Sequence, residues 1–104
     1  MQNKVKIFND KNGYSSRPMS VFARLLDTQS EMGELAKEYL KGSDYGTGDF
    51  NLTDDFMMEY GDVLYCFLSL ANELDINAEK CLDMAIEKYQ SRIDKKNSMG
   101  SEDQ

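Results

Sequence analysis

Histidine is absent from this sequence, proline occurs once and cysteine twice. With no histidine and no Cys-x-x-Cys pair, no zinc-binding spacing is present. Cys66 and Cys81 each fall inside an apolar helical pattern. Free cysteine is among the most buried residue types, so the reading is two reduced core thiols in a cytoplasmic protein. One proline and seven glycines in 104 residues leave room for long helices. Basic residues are also scarce: 12 Lys and Arg against 19 Asp and Glu give a formal net charge of −7. That balance argues against nucleic acid as a partner, because nucleic-acid binders present basic faces. No apolar run reaches the length of a membrane span, and Met1-Gln2-Asn3-Lys4 leads into no signal-peptide core. A membrane partner is therefore not expected.

What is present is one domain's length of ordinary globular composition, 40% hydrophobic and 30% charged. Residues 1–15 read as an N-terminal arm. Val5-Lys6-Ile7-Phe8 alternates like a short strand, and Asn9 to Gly13 is dense in turn formers, which suits a strand, an extended arm or disorder. Residues 16–96 read as a single all-α domain of three main helices, and residues 97–104 as a flexible polar tail. The first helix starts near Ser16 to Pro18 and places Phe22, Leu25, Met32, Leu35, Ala36 and Tyr39 on a core stripe, with Gly42 ending it. Residues 43–51 form a connector, or a flap with Tyr45 or Phe50 over a ligand. The second helix opens at Asn51 or Thr53 and runs to Leu74, apolar on nearly every face from Leu64 to Leu70. Asn77 caps the third, Ala78 to about Lys95, whose core side is Cys81, Leu82, Ala85, Ile86, Tyr89 and Ile93. Three helices make a thin core at this length. The expectation is a homodimer or homotetramer that completes a helical bundle, through the second helix.

The chemistry concentrates in two acid pairs, Glu31-Met32-Gly33-Glu34 and Glu59-Tyr60-Gly61-Asp62. Residues i and i+3 share a helix face, and Glu38 extends the first row by a turn. Like charges at that spacing oppose helix formation. If the two helices pack antiparallel with these faces converging, the carboxylates either raise one another's pKa values or hold a divalent cation. Lys88 and Arg92, four apart, share a face of the third helix.

The order Glu-x-Gly-Glu-Leu-Ala, then Glu-Tyr-Gly-Asp-Val-Leu, then a helix ending in Lys88 and Arg92, resembles the MazG-like nucleoside triphosphate pyrophosphohydrolases over roughly residues 20–93. The resemblance implies an all-α bundle of the NTP pyrophosphatase type that oligomerises. It implies hydrolysis of a nucleoside triphosphate, such as a deoxynucleoside triphosphate, to the monophosphate and pyrophosphate with Mg²⁺, or with Mn²⁺ in its place. Metal ligands would then be Glu31, Glu34, Glu59 and Asp62, with Glu34 or Glu38 as general base. Lys88 and Arg92 would bind the phosphates. Many relatives read Lys-Asn-x-x-Arg there, whereas Tyr89 stands at the Asn position in this chain. Two alternatives stand beside this reading: a non-enzymatic helical interaction module, and a related pyrophosphatase acting on dUTP, dCTP or a phosphoribosyl nucleotide.

Overall fold

A computed structural model describes residues 1–15 and 21–96. Among these the chain is all-helical: α1 Gln2–Lys11, α2 Val21–Gly42, α3 Asp54–Glu73 and α4 Ala78–Lys96, with no strand. The start expected near Ser16 to Pro18 and the tail at residues 97–104 lie outside the described residues. α2 and α3 form an antiparallel hairpin. Arg24 meets Glu73 at one end, and Glu31 meets Asp62 two turns further along α2.

The N-terminal arm is a helix, not a strand. Its buried residues, Val5 and Asn9, are four apart, the helical spacing, and both face α3. Asn9 donates from Nδ2 to Ser69 Oγ at 3.3 Å and accepts from the Tyr65 hydroxyl. The short alternation of Val5-Lys6-Ile7-Phe8 cannot outweigh those long-range bonds. At the N-terminal end, Gln2 donates from Nε2 to the Ile76 carbonyl at 2.7 Å and accepts from Ala78 N–H at 2.8 Å, holding the turn between α3 and α4.

Three of the helices stop in the same way. Tyr14, Tyr45 and Ile76 each donate their N–H to the carbonyl five residues back, Asn9, Leu40 and Ala71. The residue before each is left-handed: Gly13, Asp44 and Asp75. This is the Schellman arrangement, in which a left-handed residue lets the chain turn back and satisfy the last carbonyls. Gly42 therefore does not supply the left-handed turn expected of it; Asp44 does. Gly42 instead makes room for the returning chain. Asn51 N–H bonds to its carbonyl at 2.9 Å, and Phe50 stacks on Tyr39 at 4.7 Å and packs edge-on against Phe56. The loop is an anchored connector, with Tyr45 left 71% exposed. The caps read from sequence are present: Thr53 Oγ1 accepts from Phe56 N–H and Asn77 Oδ1 from Lys80 N–H.

α2 departs most from its expected orientation. Its covered positions are mainly polar (Arg24, Asp27, Thr28, Glu31 and Glu38), whereas Phe22, Leu25, Met32 and Tyr39 are exposed, Phe22 by 71%. The acid face meets α3, and this turns the apolar stripe to the opposite side. α4 likewise has no buried residue, and Leu82, Ile86 and Cys81 are exposed rather than in the core. Among the described residues the buried apolar core is small: Val5, Cys66, Leu68 and Ala71. The chain has an accessible surface of 8062 Å², where a compact protein of its mass exposes about 6,000 Å². Its radius of gyration is 17.0 Å, against about 13 Å for a compact domain of this length.

Candidate metal centre

The centre is built where the middle of α2 crosses the first half of α3. Thr53 caps α3, and Asp54 and Asp55 in its first turn complement the helix dipole, so α3 starts cleanly and fixes the register of Glu59 and Asp62. One carboxylate oxygen each of Glu31, Glu59 and Asp62 lies within 4.8 Å of the others. Glu31 and Glu59 are half-buried and Asp62 is exposed, so the group opens to solvent on one side.

Partial burial pushes the Glu31 carboxyl above its ordinary value, and the charges of Asp62, Asp27 and Glu34 push it further. Glu59 moves the same way, through partial burial first and then the charges of Asp62, Glu31 and Glu34. Glu34 thus acts on both helices' acids, although its carboxylate lies toward Lys37 at 3.7 Å. Glu38 pairs with Lys41 at 3.2 Å and is not among the charges acting on Glu31 or Glu59. Lys88 and Arg92 are not among them either; the Lys88 ammonium lies over the Tyr89 ring, 5.0 Å from its centroid.

A second tier of residues, absent from the expected set, extends the site one turn along both helices. Asp27 precedes Glu31 by four residues and Cys66 follows Asp62 by four. The Cys66 thiol lies 3.6 Å from Asp27 Oδ2. Arg24 reaches Asp27 at 3.7 Å and Glu73 at 3.0 Å, partly balancing the acids from the distal end. The i−4 spacing of Asp27 from Glu31 was a readable signal for this tier; nothing local singled out Arg24 or Cys66.

Burial, reinforced by the Asp27 charge, raises the Cys66 thiol to about 11. The thiolate is the reactive form, so Cys66 stays protonated at pH 8 while Cys81 is exposed. A colorimetric thiol reagent at that pH is expected to modify one cysteine quickly in the native protein and both in denaturant. Rapid native modification of both would contradict the placement of Cys66.

The donor set fits a hard divalent cation. It consists of carboxylate oxygens, with no imidazole and with the one nearby thiol held protonated, and Mg²⁺ and Mn²⁺ prefer oxygen. Like-charged carboxylates on facing helices are unfavourable alone, and a cation between them removes that repulsion.

No family model matches the chain, and no solved structure matches it. It is 39% identical over 85 residues to the Bacillus subtilis (strain 168) protein whose name is "Uncharacterized protein YpjD", covering 79% of this chain and 71% of that one. At that identity and coverage, the chain belongs to the same family as YpjD of Bacillus subtilis.

Proposed function

We propose that this protein is a Mg²⁺-dependent nucleoside triphosphate pyrophosphohydrolase of the MazG-like type, active as a homo-oligomer. The observation that carries the reading is the convergence of Glu31, Glu59 and Asp62 oxygens from two antiparallel helices within 4.8 Å. A triphosphate brings several negative charges to a site that is already acidic, so it binds only if cations intervene. Glu31, Glu59 and Asp62 would hold the cation, with Glu34 at the edge of the set. Bound there, it would polarise the α-phosphoryl group and make an attacking water more acidic. Glu34 is the better placed of the two general-base candidates, because its charge reaches both Glu31 and Glu59, whereas Glu38 is taken up by Lys41. Lys88 and Arg92 would offset phosphate charge.

The exposed apolar faces of α2 and α4 suit an interaction module equally well, and such a module needs no cation. Incubation with a panel of ordinary and modified nucleoside triphosphates and Mg²⁺, with pyrophosphate and orthophosphate separated, divides the readings. Pyrophosphate with the monophosphate is expected. Orthophosphate as the first product, or no product with any triphosphate in Mg²⁺ or Mn²⁺, would overturn the proposal. A dUTP, dCTP or phosphoribosyl preference would appear in the same panel.

A further inference from the structure

We infer that Gln2 is a positioning residue: it sets the direction of α4 and, through it, where Lys88 and Arg92 stand. The structural part goes beyond the function proposed above, and only the part concerning the two cations rests on that reading. α4 has no buried residue. Beside its first turn a cleft of about 460 Å³, lined by Leu64, Phe67, Ala78 and Leu82, opens between it and α3. Side-chain packing, which ordinarily fixes the angle between two helices, is therefore thin at this joint.

Hydrogen bonds hold the joint instead, and they converge on one residue. Gln2 Nε2 donates to the Ile76 carbonyl at 2.7 Å, and Gln2 Oε1 accepts from Ala78 N–H at 2.8 Å. Asn72 Nδ2 donates to the Gln2 main-chain carbonyl at 3.3 Å. Asn72 lies in the last turn of α3, Ala78 is the first residue of α4, and the left-handed Asp75 stands between them. One residue of α1 thus grips both sides of the hinge. Ala78 N–H is among the donors that a helix start leaves without an intrahelical partner. Asn77 takes the one at Lys80, next to it in the chain, and Gln2 takes this one from the far end. Both side-chain bonds need a primary amide, which carries a donor and an acceptor together. The length of α4 makes the hinge consequential. Lys88 and Arg92 lie ten and fourteen residues beyond Ala78, about 15 and 21 Å along the axis. A tilt of about 10° at Ala78 therefore moves Arg92 by about 4 Å, more than a hydrogen bond tolerates. Docking of α1 and placement of the two cations are thereby one event.

The test compares wild type with Gln2→Ala, Gln2→Glu and Lys6→Ala by residual dipolar couplings of the α3 and α4 amides in the intact protein, with circular dichroism on the same samples. Wild-type couplings from both helices are expected to fit one alignment frame. In Gln2→Ala those of α4 should depart from the α3 frame or shrink, with helicity kept. Gln2→Glu keeps the acceptor for Ala78 and loses the donor for Ile76, so it should depart by less, and it decides the matter if Gln2→Ala loses its fold. Lys6→Ala, which removes only an exposed ion pair with Asp10 on the same helix, should match wild type. α4 couplings that stay in the α3 frame in both Gln2 variants would overturn the inference, as would an equal departure in Lys6→Ala. Pyrophosphate release gives the second readout. Gln2→Ala is expected to raise KM by about tenfold, the size of one lost charge-assisted contact, with kcat little changed. In a Lys88→Ala/Arg92→Ala background it should add almost nothing, and full additivity would overturn the link to the two cations. A wild type that releases no pyrophosphate would remove the reading of function, and the couplings alone would then decide the role of Gln2.

Discussion

Asp62→Asn is expected to abolish most Mg²⁺-dependent turnover while leaving the metal-free protein at least as stable at neutral pH. The two effects have opposite signs because one carboxylate does two things. It contributes an oxygen to the three that converge within 4.8 Å, and its charge is a cause of the raised proton affinity of Glu31 and Glu59. Loss of a hard oxygen ligand should lower turnover by orders of magnitude, about 10²-fold or more. Stabilisation by Mg²⁺, which follows occupancy of the native site, should weaken with it. The metal-free gain has a definite pH dependence. Glu31 and Glu59 titrate above their ordinary 4.5 in the folded chain. Their contribution to stability is therefore complete below that value and is lost as pH rises through the raised ones. Asparagine removes part of the cause, so the variant should gain on wild type at pH 7 and the gap should close toward pH 4. Thermal melts of both proteins, with EDTA and with Mg²⁺ at the two pH values, measure all of this. Identical melts in every condition would mean that Asp62 is merely solvated.

The second large effect is expected at Gly42. Alanine in place of a helical glycine usually stabilises. At Gly42 the added Cβ would stand 2.8 Å from a Phe50 ring carbon and 2.9 Å from the Asn51 carbonyl oxygen. The ring is held between Tyr39 and Phe56, and the backbone is tied by the Asn51 to Gly42 hydrogen bond. Neither can move cheaply. Overpacking of this kind costs about 1–3 kcal/mol, which at this size lowers the melting temperature by about 4–8 °C for each kcal/mol. Gly61 is the control, since nothing lies within 4 Å of its added Cβ. Gly61→Ala should melt at or above wild type. A Gly42→Ala protein that melts like Gly61→Ala would show that the loop does not press on α2 as described.

Much of this architecture is legible in the residues. The i, i+3 spacing places each acid pair on one face of its own helix, and of the four acids Glu31, Glu59 and Asp62 meet across the hairpin while Glu34 lies toward Lys37; Thr53 and Asn77 mark helix starts by capping chemistry alone. What sequence periodicity cannot give is the direction a face points. α2 has a polar row and an apolar row, each regular enough to be the inner one, and only contact with α3 decides between them. The same limit hid the tier of Arg24, Asp27 and Cys66, whose members are unremarkable until the hairpin aligns them. α1 is not legible in the sequence for another reason. Its helix rests on Asn9 and Gln2, polar residues whose partners lie 56 or more positions away.

That distance along the chain bears on the order of folding. The α2–α3 hairpin closes a short loop, whereas Gln2 must find Ile76 and Ala78 across 74 and 76 positions. Long-range closures cost more chain entropy and come later. On that ground α1 is expected to dock only after the α2–α3 hairpin has closed.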